Sequence, residues 1–177
     1  RRNVMYNDFV IVGPETDPAN IGTTRNVIKA MISIAKSKSL FISRGDNSGT
    51  HKAELELWNL AAINIFEASG SWYRDTGSGM GSTLNIATAS GGYTLSDRAT
   101  WISFKNKGNT TILVEGDTRL FNQYGVIVVN QQRHPHVKLD HAKLFVEWLT
   151  SAEGQANINA FRIDGQQLFF ANYSTKS

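Results

Sequence analysis

The 177-residue sequence predicts an α/β fold with a largely parallel sheet. Two observations carry that expectation. Short apolar runs of strand character alternate with segments of helical spacing along most of the chain. The junctions between them are rich in glycine, serine, threonine and aspartate, the residues that turn the backbone and cap helices. No repeat or low-complexity linker interrupts the alternation. A hydrophobic content of 41% with 19% charged residues is that of an ordinary globular protein able to bury a core.

Taken in order, Asn7 to Pro14 reads as a buried strand, Phe9-Val10-Ile11-Val12 being continuously apolar and Gly13-Pro14 stopping it. Thr16 to Asn20 carries turn chemistry. Thr23 or Thr24 can cap a helix running to about Lys38, with Val27, Ile28, Met31, Ile34 and Ala35 on one face. Leu40 to Ser43 is the second strand. Ser48 can open a helix expected to continue to about Ala68 and to end near Gly70. Past a polar loop, Gly79-Met80-Gly81-Ser82-Thr83 leads into a helix through Leu84, Ala87 and Thr88, closed by Gly91-Gly92. Tyr93 to Leu95 is a short strand, and Ser96 or Asp97 caps a brief helix with Ala99, Trp101, Ile102 and Phe104. Thr111 to Val114 and the stronger run Tyr124 to Asn130 are strands. Asp140 starts an amphipathic helix with Ala142, Phe145, Val146 and Leu149 inward, and Ser151 caps a last helix through Gln155 and Ile158.

Composition narrows the function classes. No apolar run approaches the ~20 residues that span a bilayer. The absence of cysteine excludes disulfides and thiolate metal sites and fits an oxidising compartment. A net charge of +3 spread along the chain, with no basic block, gives no reason to expect nucleic acid, yet favours meeting an anion. Arg1-Arg2-Asn3 opens without methionine or a leader, which reads as a processed or truncated chain.

The chemistry concentrates in Ser43-Arg44-Gly45-Asp46-Asn47-Ser48-Gly49-Thr50-His51, a strand, a polar turn and a helix start. Helix N-termini hold unpaired N–H groups and partial positive charge, so they bind anions. Arg44 adds a fork of donors, and Ser48 and Thr50 add hydroxyls. Standing alone, Ser48 reads equally as a cap, Arg44 as a surface ion-pair partner and Asp46 as a turn residue. Ser82 and Thr83 mark a second junction of the same kind. Enzyme signatures are lacking. His134, His136 and His141 do not have the helical spacing of a metal-binding pair. Ser48 and Ser82 lack the flanks of a nucleophile elbow, and the Gly79 to Thr83 turn lacks the lysine of a P-loop. No catalysis, no cofactor and no metal are expected, except tungsten or molybdenum inside an oxyanion.

Four motifs in this order resemble the extracytoplasmic tungstate-binding proteins of ABC transporters, the TupA type of the type-2 periplasmic-binding-protein superfamily. They are Tyr6 to Pro14, Ser43 to His51, Gly79 to Leu84 and Tyr93 to Trp101, and the pattern from Asn122 to Tyr124 through Trp148-Leu149 and Gly154-Gln155 also fits. The resemblance implies two α/β lobes joined by two crossover strands, clamping the oxyanion between them. Residues 1–13 would be a crossover strand with residual lobe 1, residues 14–120 the complete lobe 2, and residues 121–177 the return crossover and C-terminal helices of lobe 1. The N-terminal part of lobe 1 would be missing. By resemblance, Arg44, Ser48, Gly49 and Thr50, with Ser82 and Thr83, bind the oxyanion, tungstate first and molybdate second. The implied partner is an ABC transporter permease, the location periplasmic or extracellular, and any membrane attachment comes through the permease or a missing anchor. The alternatives are a ligand-sensing effector domain of a regulator on the same fold and a binding protein for another small anion.

Overall fold

The computed structural model describes residues 1–174. The chain divides into two compact units, Asp8–Phe121 on the one hand and Arg1–Asn7 with the chain from Asn122 onward on the other. Strand β1 (Arg2–Pro14) contributes to both. It starts five residues before Asn7, because its first half pairs with a distant strand, Met5 opposite Ala171 and Tyr6 opposite Phe170, and Val4 is buried there.

In the unit Asp8–Phe121, the later half of β1 is the spine. Phe9 and Ile11 face one core with Trp58, Phe41, Tyr73 and Tyr93, whereas Val10 and Val12 face another with Met80, Leu84 and Trp101. Successive side chains of a strand point to opposite faces, so a strand covered on both sides must be apolar throughout. Helix α1 (Val27–Ser37) is capped by Asn26, whose side chain accepts from Lys29 N, while Thr24, two residues earlier, accepts from Asn26 N and is not itself the cap. Next come β2 (Phe41–Ser43), α2 (Gly49–Leu60), β3 (Tyr73–Asp75), α3 (Met80–Ser90), β4 (Thr94–Asp97), the short α4 (Arg98–Ser103) and β5 (Thr110–Val114). Strands β2 and β3 run parallel, and Phe41 bridges to Tyr93 in parallel as well.

The expectation of a largely parallel sheet is corrected around β1. Its ladders with β4 and β5 are antiparallel, Phe9 opposite Asp97 and Val12 opposite Ile112. Alternation of strands and helices dictates direction only between strands joined by one crossover, such as β2 and β3. The β1 pairings are long-range and escape it. Helix α2 also stops earlier than expected. Ala62 adopts φ 55°, Ile63 N donates to Trp58 O and Ala62 N to Asn59 O, which is the Schellman closure with alanine in place of glycine. A separate 3-10 turn, Ile65–Ala68, follows behind the Asn64 cap. By contrast, Gly91 ends α3 in the left-handed region at φ 64°, as its sequence position predicts.

In the other unit, β6 (Phe121–Val126) and β9 (Phe170–Ala171) pair with β1. Helices α5 (Leu139–Leu149) and α6 (Ala152–Ala160) precede the hairpin of β7 (Arg162–Ile163) and β8 (Gln166–Gln167). Ser151 caps α6 by accepting from Gly154 N. The strand expected over Tyr124 to Asn130 sits upstream instead. Asn122 donates to Asn7, and Gln123 donates to Met5 O and accepts from Asn172, so two polar residues anchor the pairing. Ile127 and Val129 are left outside it and exposed. On α5 only Val146 of the expected inward face is buried, and Phe145 is 56% exposed.

Candidate functional site

Because β2 and β3 are parallel neighbours, the residues that follow both strands lie along one edge of the pair. Ser43, the last residue of β2, leads into the Arg44 to Ser48 turn and α2. Asp75, the last of β3, leads into Thr76 to Gly79 and α3. The two loops are tied together. Thr76 N donates to Ser43 O at 3.0 Å, Ser78 N to Arg44 O at 3.1 Å, and the Thr76 hydroxyl to Arg44 O at 3.2 Å. Gly45 turns the chain at φ 62°, and a Cβ there would stand 2.8 Å from Asp75 Cβ. Both the dihedral and the close approach require glycine.

Within the first loop, Asp46 organises the donors. Its Oδ2 accepts from Arg44 Nη2 at 2.5 Å and Nε at 3.1 Å, and its Oδ1 accepts from Ser48 N at 3.2 Å. Hydrogen bonding by Ser48, then the Arg44 guanidinium, pulls its carboxyl down to about 2. Asp46 is therefore more than a turn residue, because it fixes the arginine and starts the helix. Ser48 caps α2, its hydroxyl accepting from His51 N at 3.2 Å. Beyond the cap, the N–H groups of Gly49 and Thr50 have no acceptor among the described residues. The side chain of Thr50, only 8% exposed as a residue, also makes no hydrogen bond among them.

The second loop differs in one respect from expectation. Met80, Gly81 and Ser82 form the first turn of α3 behind the Gly79 cap, which supplies no side chain. Their N–H groups lack acceptors among the described residues, and the exposed Ser82 hydroxyl is unengaged as well. Thr83 is fully buried. Its hydroxyl is 3.0 Å from that of Thr76 and donates to Gly79 O at 3.2 Å, so it braces the loop and presents nothing to a ligand.

Beneath the site lies a group that the sequence reading passed over. Glu54, one turn after Thr50 on α2, is 2% exposed and accepts three hydrogen bonds. Ser43 Oγ and Tyr73 OH donate to it at 2.8 Å and Trp58 Nε1 at 3.2 Å. Burial pushes its carboxyl up to about 7 against the pull of those donors, with Asp75 adding to the rise. The spacing Thr50, Glu54, Trp58, which stacks an acid on the apolar face of a helix, was the available signal.

The third junction is closed. Asp97 caps α4 by accepting from Thr100 N at 2.9 Å, filling the helix start with a carboxylate. Arg98 is committed to Asp8 through two bonds of 2.6 Å and to Glu115 at 2.7 Å. Among the described residues, no group of three or more His, Cys, Asp or Glu is placed to hold a metal ion. Also among them, no helix is long and apolar enough to cross a membrane.

Comparison with known proteins places the chain in a family. The family described as "PBP superfamily domain" matches residues 1–153. A Haloferax volcanii protein, provisionally named an ABC transporter anion-binding protein, is 45% identical over 97% of this chain and 51% of its own length. "Tungstate-binding protein TupA" of Peptoclostridium acidaminophilum is 42% identical over 97% of this chain and 60% of its own. The chain thus spans about half to three fifths of these curated relatives. The solved tungstate-binding protein TupA from Desulfovibrio alaskensis G20 superposes with a TM-score of 0.81 at 44% identity, over 98% of this chain and 70% of that one.

Proposed function

The chain belongs to the PBP superfamily domain family, and from that premise we propose that it captures a tetrahedral oxyanion, tungstate first and molybdate second, for an ABC transporter. The observation that carries the reading is the shared edge of two helix N-termini. Open N–H groups of Gly49, Thr50, Met80, Gly81 and Ser82 stand there with the Arg44 fork fixed at the same turn. Donors with no acceptor partner suit a fully ionised dianion and disfavour an anion that must donate its own proton. The names of the relatives point to the same ligand class.

In this reading Arg44, Gly49, Thr50 and Ser82 touch the oxyanion, Ser48 shapes the first turn, and Thr83 supports the second. The unit Asp8–Phe121 acts as one lobe, and Arg1–Asn7 with the chain from Asn122 onward as part of the other. The ligand selects a closed form, and that form docks the permease outside the cytoplasm. The protein binds and does not catalyse. Calorimetric titration with tungstate, molybdate, sulfate and phosphate tests the proposal on the full-length protein. Tungstate heat that disappears in Arg44→Ala is expected. A folded protein giving no heat with any of the four would overturn it.

A further inference from the structure

The opposite edge of the β2–β3 pair carries a second feature. Leu40 and Trp72 immediately precede these strands, and with Ile63 they line an open recess of about 930 Å³. Lys36, Lys38, Arg74 and a single acid, Glu67, also border it. Neither lysine side chain has a hydrogen-bond or ion-pair partner among the described residues. Arg74 gives only its Nε to Ser71 O. The carboxylate of Glu67 accepts from Asn64 at 2.7 Å and leaves the cations uncompensated. The lysines do complement the C-terminus of α1, but three cations against one acid is an excess beyond that need. Phe66, the chain neighbour of Glu67, is 84% exposed.

We propose that this recess is a docking groove for an acidic, apolar peptide segment of a partner protein. The apolar floor takes aliphatic or aromatic side chains and the unpaired cations take carboxylates, the pairing that gives an interface both contact area and register. A concave recess favours a peptide over a membrane surface, because a flat bilayer cannot fill it. The groove is distinct from the oxyanion edge. The two lie at opposite ends of strands three residues long, on the order of 10 Å apart.

The test is selection of a phage-displayed random dodecapeptide library on the full-length protein, followed by fluorescence anisotropy with the enriched peptides. Enriched sequences should combine Asp or Glu with Leu, Ile or Phe. Their affinity should fall about tenfold or more in Lys36→Gln/Lys38→Gln/Arg74→Gln, three exposed charges that are each worth little alone. An unchanged melting temperature in that variant controls for folding. Several results would overturn the proposal: no enrichment, peptides without acidic residues, or binding indifferent to the triple substitution. Vesicles with 30% phosphatidylserine form a separate arm, and binding to them without peptide enrichment would assign the surface to membrane instead.

Discussion

Replacing Glu54 by glutamine should change how stability depends on pH more than it changes the fold. The side chain is buried beneath the oxyanion edge, and its carboxyl rises from an ordinary 4.5 to about 7. Between those values the folded chain holds a proton that the unfolded chain has released. Glu54 therefore adds stability at low pH that is lost as pH climbs from 4.5 through 7. The full loss is about 3.5 kcal/mol, a rise of 2.5 at roughly 1.4 kcal/mol per pH unit. Glutamine keeps an oxygen for Tyr73 and Trp58 and turns its amide toward Ser43, whose hydroxyl can accept. Urea unfolding of wild type and Glu54→Gln at pH 5, 6, 7 and 8 reads the effect directly. The difference between the two proteins should move by about 2.5 kcal/mol toward the variant between pH 5 and pH 8, the rest of the loss lying below pH 5. Asp46, with its carboxyl lowered to about 2, has the opposite sign, and its contribution is lost only below about pH 4, outside this window. Stability curves running parallel from pH 5 to 8 would refute the assignment.

Two further substitutions probe how the loops are built. Gly45→Ala should lower stability by about 1–3 kcal/mol in thermal or urea unfolding, since it forces an L-residue to φ 62° and drives a methyl against Asp75. Ser48→Ala should cost about 1 kcal/mol in urea unfolding, the value of a lost N-cap, and a stability equal to wild type would mean the His51 N–H finds another acceptor.

What the sequence made legible is what local chemistry decides. The Ser48 cap, the Gly91 stop, the Asp97 cap of α4 and the Ser151 cap of α6 each depend on one side chain and its nearest peptide groups. Both turn-to-helix junctions of the candidate site were visible for the same reason. Elsewhere distant partners decide. The direction of β1 against β4 and β5 is set by long-range pairing. Strand β3, Tyr73-Arg74-Asp75, is only three residues with two exposed charges and has no periodicity to read. Ala62 closes α2 with no glycine to announce it. Within the site, the split between Ser82, open, and Thr83, consumed by Thr76 and Gly79, turns on where α3 begins. The exposed α5 face follows the expected spacing but, Val146 apart, not the expected burial.

The contact between Arg44 and Asp46 also bears on the kinetics of capture. A bare guanidinium at two helix starts would project a positive field into solvent and hasten the approach of every anion alike. Here the carboxylate already sits on the guanidinium, so that pair presents a compact dipole, and the longer-range field of the edge comes from the partial charges of the two helix starts. The long-range attraction felt by every anion alike is thereby weakened, and discrimination takes place at contact, through the fit of the bare N–H groups.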